Sequence, residues 1–162
     1  MITAGQFLKE FDPEMTATRR MLERVPAEKG DWKPHAKSKS LGELATHITE
    51  LPRWGMRIHD DSFTVGSEKA PPMKTAAEFL ARFDENVRDG REAIAAMSDA
   101  DLEREFTVLR QGQVFFALKK RSLLKRVLLN HLIHHRGQLS VYLRMNDVPL
   151  PSIYGPTADE AM

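Results

Sequence analysis

The chain has no cysteine among its 162 residues. That absence excludes a disulfide scaffold, a thiolate zinc finger, an iron–sulfur protein and a cysteine nucleophile. It leaves any metal site to imidazole and carboxylate. Long apolar runs are missing too, and none approaches the ~18–20 residues that a bilayer span needs. Charge of one sign is equally scarce, since 24 Lys and Arg face 23 Asp and Glu for a formal net charge of +1. No global field draws in nucleic acid or anionic lipid, so neither partner is expected. The opening residues Met1-Ile2-Thr3-Ala4-Gly5 carry no basic stretch followed by an apolar one, and no secretion signal is read there. The expectation is a soluble cytoplasmic protein. Its length suits one domain, 1–162, which can bury ~70% of its unfolded surface without disulfide or metal staples.

What the sequence does have is a helical period, four times over. The first helix is predicted over Gly5–Arg24, where Phe7, Phe11, Met15, Thr18 and Leu22 make one stripe behind a Thr3-x-x-Gln6 capping box. The second is predicted over Leu41–His59, behind Ser40-x-x-Glu43, with Pro52 inside to kink it or end its regular part. Asp60–Met73, holding Gly66, Pro71 and Pro72, reads as a loop. The third spans Ala76–Met97 behind Thr75-x-x-Glu78, with Phe79, Phe83, Val87, Ile94 and Met97 inward. Gly90 completes that stripe and marks a close approach of a neighbouring helix. Phe106–Leu109 and Val114–Ala117 flank Arg110-Gln111-Gly112-Gln113 as a small hairpin. The fourth helix, Ser122–Met145, aligns Leu124, Leu128, His131, His135 and Tyr142, and a tail with Pro149, Pro151 and Pro156 follows. The fold class expected is all-α, a four-helix bundle with a small hairpin before the last helix. Two long connections leave its topology open.

Three of the six histidines fall within Asn130-His131-Leu132-Ile133-His134-His135-Arg136-Gly137-Gln138. His131 and His135 lie one turn apart on one face, so two imidazoles can ligate one ion. This is the spacing of H-E-x-x-H sites without the glutamate, whose place Leu132 takes. A metal centre and a pair of hydrogen-bonded core histidines are both open on spacing alone. His134 has another azimuth and reads as a supporting or surface residue. A third ligand must come from His35, His47 or His59. His35 sits in a Lys-rich loop and His59 near a helix end. His47 shares the inward stripe of Leu44, Leu51 and Trp54, where an unpaired ring would cost ~1–3 kcal/mol. Ligating histidines usually donate their other ring N–H to an acceptor. Glu43, Glu50, Asn130 and Gln138 are the candidates by position. Arg136 is the candidate to hold an anionic substrate group, with a solvated arginine beside a packing Gly137 as the alternative. The run Lys119-Lys120-Arg121, with Lys125 and Arg126, reads as solvated surface rather than a nucleic-acid stripe.

Several of these stretches together resemble the DinB-like (damage-inducible, YfiT-related) metalloprotein superfamily. The matching residues are Trp32-x-Pro34, Ser40-Leu41-Gly42-Glu43-Leu44-Ala45-x-His47, Asn130-His131-x-x-His134-His135-Arg136-Gly137-Gln138-Leu139 and the tail Val148-Pro149-Leu150-Pro151 with Tyr154-Gly155-Pro156. The resemblance spans Phe7 to Pro156, and H-x-x-H-H-R-G-Q is its most specific part. It implies a four-helix bundle with a three-histidine site for a divalent ion, which falls here on His47, His131 and His135. Zinc or nickel suits such ligands best, and iron or manganese also fits. Three neutral ligands leave positions for water or substrate, the open geometry of a catalytic site. Related proteins include thiol-dependent S-transferases and isomerases, and homodimers are common among them. The implied function is a metal-dependent enzyme acting on a small molecule, by hydrolysis or by transfer with a low-molecular-weight thiol. The alternative is a metal-binding module in which the ion only stabilises the bundle.

Overall fold

The computed structural model describes residues 3–66, 73 and 75–161. Helix α1 (Ala4–Leu22) begins at a complete capping box, in which Thr3 accepts from the Gln6 amide and the Gln6 side chain accepts from Thr3. Helix α2 (Leu41–Glu50) begins at a second one, Ser40 with Glu43. Pro52 then ends the regular part. The chain tightens into a 3-10 turn at Leu51–Arg53 and resumes as a single helical turn, α3 (Trp54–Arg57). Proline lacks the N–H that would continue the ladder. The Asn86 amide nitrogen instead donates to the Thr49 carbonyl at 2.9 Å. Helix α4 (Ala76–Ala95) starts where Thr75 accepts from the Glu78 amide.

The all-α expectation is corrected by a three-stranded sheet of order β1-β2-β3. The anticipated hairpin is present as β2 (Glu105–Arg110) and β3 (Gln113–Lys119), which follow the short helix α5 (Asp99–Glu103). Its turn residues Gln111 and Gly112 both have positive φ, 52° and 76°, the mirror-image turn that matches strand twist. Strand β1 (Ser62–Thr64) comes from the segment read as loop and pairs parallel to β2, Phe63 opposite Val108. Three residues are too few for a visible alternation. Pairing depends on the partner strand and on Asp61, whose carbonyl accepts from Thr107 and whose carboxylate meets Lys120 at 3.2 Å. Pro71 and Pro72 lie outside the described residues.

The predicted fourth helix is composite. Helix α6 (Lys120–Leu123) runs into a π-helical turn, Leu124–Leu129, and then α7 (Asn130–Met145). The Asn130 amide donates to Lys125 O, five residues back. The two long helices α1 and α4 pack together, α2 packs on α4, and α7 lies against α1 and α2. Between them sit Phe11, Leu44, Ile48, Phe79, Phe83, Leu128 and Leu132, all essentially without exposure. Burying each such side chain contributes about 1.5–3 kcal/mol. Gly90 does mark a close approach: a Cβ there would sit 2.5 Å from Pro52 O. Gly137 does not, since a Cβ there would meet nothing within 4 Å.

Candidate metal centre

Helices α2 and α7 pack side by side and present three imidazoles to one another. His47 comes from α2, and His131 and His135 from successive turns of α7. Their ring centroids are 4.6–5.0 Å apart. The Nε2 atoms of His47 and His131 are 3.3 Å apart, and those of His131 and His135 2.8 Å. One ligand atom from each ring lies within 4.8 Å of the others.

The outer nitrogens decide what these short distances mean. His131 Nδ1 lies 3.2 Å from the Val127 carbonyl, and His135 Nδ1 lies 2.7 Å from Gln138 Oε1. A carbonyl oxygen only accepts, so each Nδ1 carries the proton. Burial disfavours a second proton on either ring. It lowers the pKa of His131 and His135 despite those hydrogen bonds. His47 is lowered to about 3, first by burial and then by repulsion from His135, His131 and Lys39. The inward Nε2 atoms of His131 and His135 are therefore two lone pairs facing each other. A neutral hydrogen bond cannot join them; an electrophile between them can. Ligand bonds of ~2.0–2.1 Å put nitrogens ~2.9 Å apart at a right angle and ~3.4 Å apart at the tetrahedral angle. The observed 2.8 and 3.3 Å match that spacing. The donor set fits a divalent ion.

The remaining candidates fall in different places. Gln138 orients His135, as described. Glu43 closes the Ser40 capping box and lies 3.6 Å from Lys33. Glu50 bridges Arg53 at 2.9 Å and Arg82 at 3.0 Å, which locks the end of α2 onto α4. Burial alone would raise its pKa, but those two guanidinium partners hold it below the usual carboxylate value. Asn130 is exposed. His134 is exposed as well, its ring 5.0 Å from that of His135. Arg136 is neither solvated nor at the cluster. It is buried against α1, donating to Glu14 O and Thr18 Oγ1 and to Tyr154 Oη, with Glu14 Oε2 at 2.7 Å. His35 accepts from the Lys37 amide, and His59 Nε2 meets Ala93 O at 3.0 Å. Neither joins the cluster. In the basic run, Lys119 and Arg121 pair with Glu103, Lys120 with Asp61 and Lys125 with Glu10.

His47 and His131 open into a cleft of about 1450 Å³. Its walls include Trp54, Phe63 and Phe116, and its rim includes Lys37 and Lys39. Sequence reasoning placed Trp54 on an inward stripe and Phe116 in a hairpin without linking either to a cleft, and it passed over Phe63. Phe63 lies on the unrecognised strand, and Phe116 faces the cleft only because β3 pairs with β2. The lysines were visible only as a charged loop.

The DinB family model matches residues 1–161, and the chain belongs to the DinB family. An uncharacterised protein, YrdA, from Bacillus subtilis (strain 168) is 27% identical over 98% of this chain and 92% of its own length. The fold is shared with a DinB-like protein from Bacillus cereus ATCC 10987, at TM-score 0.75 and 24% identity, covering 94% of this chain and 99% of that one. A DinB-like protein from Bacillus subtilis aligns at TM-score 0.71 and 21% identity over 91% of this chain and 97% of its own. Among the described residues, no helix is long and apolar enough to cross a membrane.

Proposed function

We propose that the protein holds a divalent ion at His47, His131 and His135 on a four-helix-bundle frame. The ion serves a reaction on a small molecule in the adjoining cleft, either hydrolysis or transfer involving a low-molecular-weight thiol. The observation that carries this reading is the 2.8 Å approach of the His131 and His135 Nε2 atoms, whose outer nitrogens already face acceptors, a spacing that suits a shared cation. Zinc or nickel is the first choice for three imidazoles, with iron and manganese compatible. When bound, such an ion supplies Lewis acidity to a water, a thiol or a carbonyl oxygen.

The chain's own residues do the rest. Val127 O and Gln138 hold the proton on the outer nitrogen of His131 and His135, so that Nε2 of each stays free to ligate. Glu50, clamped by Arg53 and Arg82, fixes the end of the helix that carries His47. The cleft receives the substrate and its apolar wall limits water. A cytoplasmic homodimer that engages neither nucleic acid nor membrane belongs to the same proposal.

A second reading is favoured by one observation. No carboxylate among the described residues is grouped with the three histidines, so no general base stands in the cluster itself. In that reading the ion only ties α2 to α7. Elemental analysis of wild-type protein and His131→Ala, followed by turnover on hydrolase and thiol-transferase substrate panels, separates the two. Metal bound by wild type and lost in His131→Ala, with turnover that chelation abolishes and metal restores, supports the enzyme. Strong thermal stabilisation by metal without turnover supports the second reading, and equal metal content in both proteins refutes both.

A further inference from the structure

The cleft beside the histidines has walls of two kinds. Trp54 and Phe63 pack edge to face at 5.4 Å, with the Arg57 guanidinium 4.0 Å over the Phe63 ring, and with Phe116 they give the cleft an aromatic side. The opposite rim is the connection between α1 and α2, which brings Lys33, Lys37 and Lys39 to the same cleft as His47 and His131. Lys33 is answered by Glu43. No carboxylate among the described residues lies within ion-pair distance of Lys37 or Lys39. Acidic groups on the cleft are already engaged at Glu43 and Glu50, leaving Glu28 and Asp31 near the mouth.

Lys39 is held in place at its backbone. Tyr142 Oη donates to its carbonyl at 3.3 Å, and the next residue, Ser40, caps α2. A divalent ion held by three neutral rings keeps its full charge. The rim of the cleft is thus cationic, as its inner end becomes when an ion is bound, and one wall is aromatic. A volume of about 1450 Å³ exceeds the ~300–1,000 Å³ of typical ligand pockets, so a molecule with a sizeable body has room.

We propose that the cleft selects a small amphipathic anion. A carboxylate or phosphate head is drawn to Lys37 and Lys39 beside the histidine cluster, and the apolar body lies against Trp54, Phe63 and Phe116. The proposal rests on the metal reading for its innermost contact, and on the two lysines for the rest.

Calorimetric titration with four ligands of one tail length tests it: nonanoate, octyl phosphate, octanol and octylammonium. Metal-free and zinc-loaded wild type are compared with the Lys37→Gln/Lys39→Gln double variant, whose melting point and helical signal certify its fold. In metal-free wild type, an anionic head binds about threefold to tenfold more tightly than octanol, and octylammonium binds more weakly than octanol. Zinc widens the preference. The double variant keeps octanol affinity and loses the metal-free preference. The ratio of nonanoate to octyl phosphate identifies the head. Equal binding of octanol and both anions in either form overturns the proposal, as does a metal-free preference that survives in the double variant. A lysine-dependent preference in a protein that binds no zinc supports the anion site while refuting the metal reading, so the two failures are distinct.

Discussion

Gly90→Ala is the substitution that most directly tests how the site is framed. In an exposed helix the change would stabilise by about 0.8–1 kcal/mol, because alanine loses less backbone freedom. Here the new Cβ would stand 2.5 Å from Pro52 O, where contacts under 3.0 Å are essentially never found. The backbones must part by at least half an ångström. The obstacle is a carbonyl rather than a flexible side chain, and Gly55 approaches from the same side, its own Cβ position only 2.7 Å from Gly90 O. Overpacking of this kind costs about 1–3 kcal/mol, and the rigid obstacle argues for the upper end. The net loss is then about 1–2 kcal/mol, or a melting point lower by about 2–8 °C for a chain of this size. Pro52 closes the helix that carries His47, so zinc affinity falls as well. Thermal denaturation read by circular dichroism, with and without zinc, measures both. Gly137→Ala is the internal control, since it sits in α7 with nothing within 4 Å and is expected to stabilise. If Gly90→Ala gains stability as Gly137→Ala does, the close approach of α4 to the end of α2 is refuted.

Other perturbations separate the cluster from its scaffold. Gln138→Leu removes the acceptor for His135 Nδ1 and is expected to weaken zinc binding about 10–100-fold, with the metal-free melting point nearly unchanged; competition with a chromophoric chelator reads it, and unaltered affinity refutes the role. Arg136→Met leaves half-buried Glu14 with Tyr154 but without its cation and is expected to cost about 1–3 kcal/mol in urea denaturation while zinc affinity per folded molecule holds; the opposite pattern would place Arg136 at the site. Glu50→Gln costs of order 1 kcal/mol at neutral pH, because the pair is partly solvated. The folded pKa of Glu50 lies below its unfolded value of 4.5, so the unfolded chain takes up the proton first. Its stabilisation is complete above pH 4.5 and disappears on further acidification, and a gap between the two proteins that widens there would refute the assignment.

The parts of the fold that were legible in sequence are those that local physics fixes. The apolar stripe of α1, the capping boxes at Thr3 and Ser40, and the interruption at Pro52 each involve groups a few residues apart. The pairing of His131 with His135 is legible for the same reason, since four residues make one helical turn. The Gln111-Gly112 turn, with its glycine, revealed the hairpin.

What sequence left open depends on partners far along the chain. β1 is a strand because β2 offers its edge and buried Lys120 grips Asp61, and three residues carry no period of their own. The π-helical turn before His131 changes which carbonyls are free, and nothing in Leu124–Leu129 announces a five-residue hydrogen-bond step. Arg136 looked like a residue for substrate because its neighbours are histidines, yet its azimuth carries it toward α1, where Glu14 of that helix and Tyr154 of the tail pair with it. The sequence by itself determined which imidazoles could share a helix face. Only the tertiary structure decided that His47, 84 residues before His131, turns its ring onto that face at 3.3 Å, because a side chain's reach is set by packing and not by its own local periodicity.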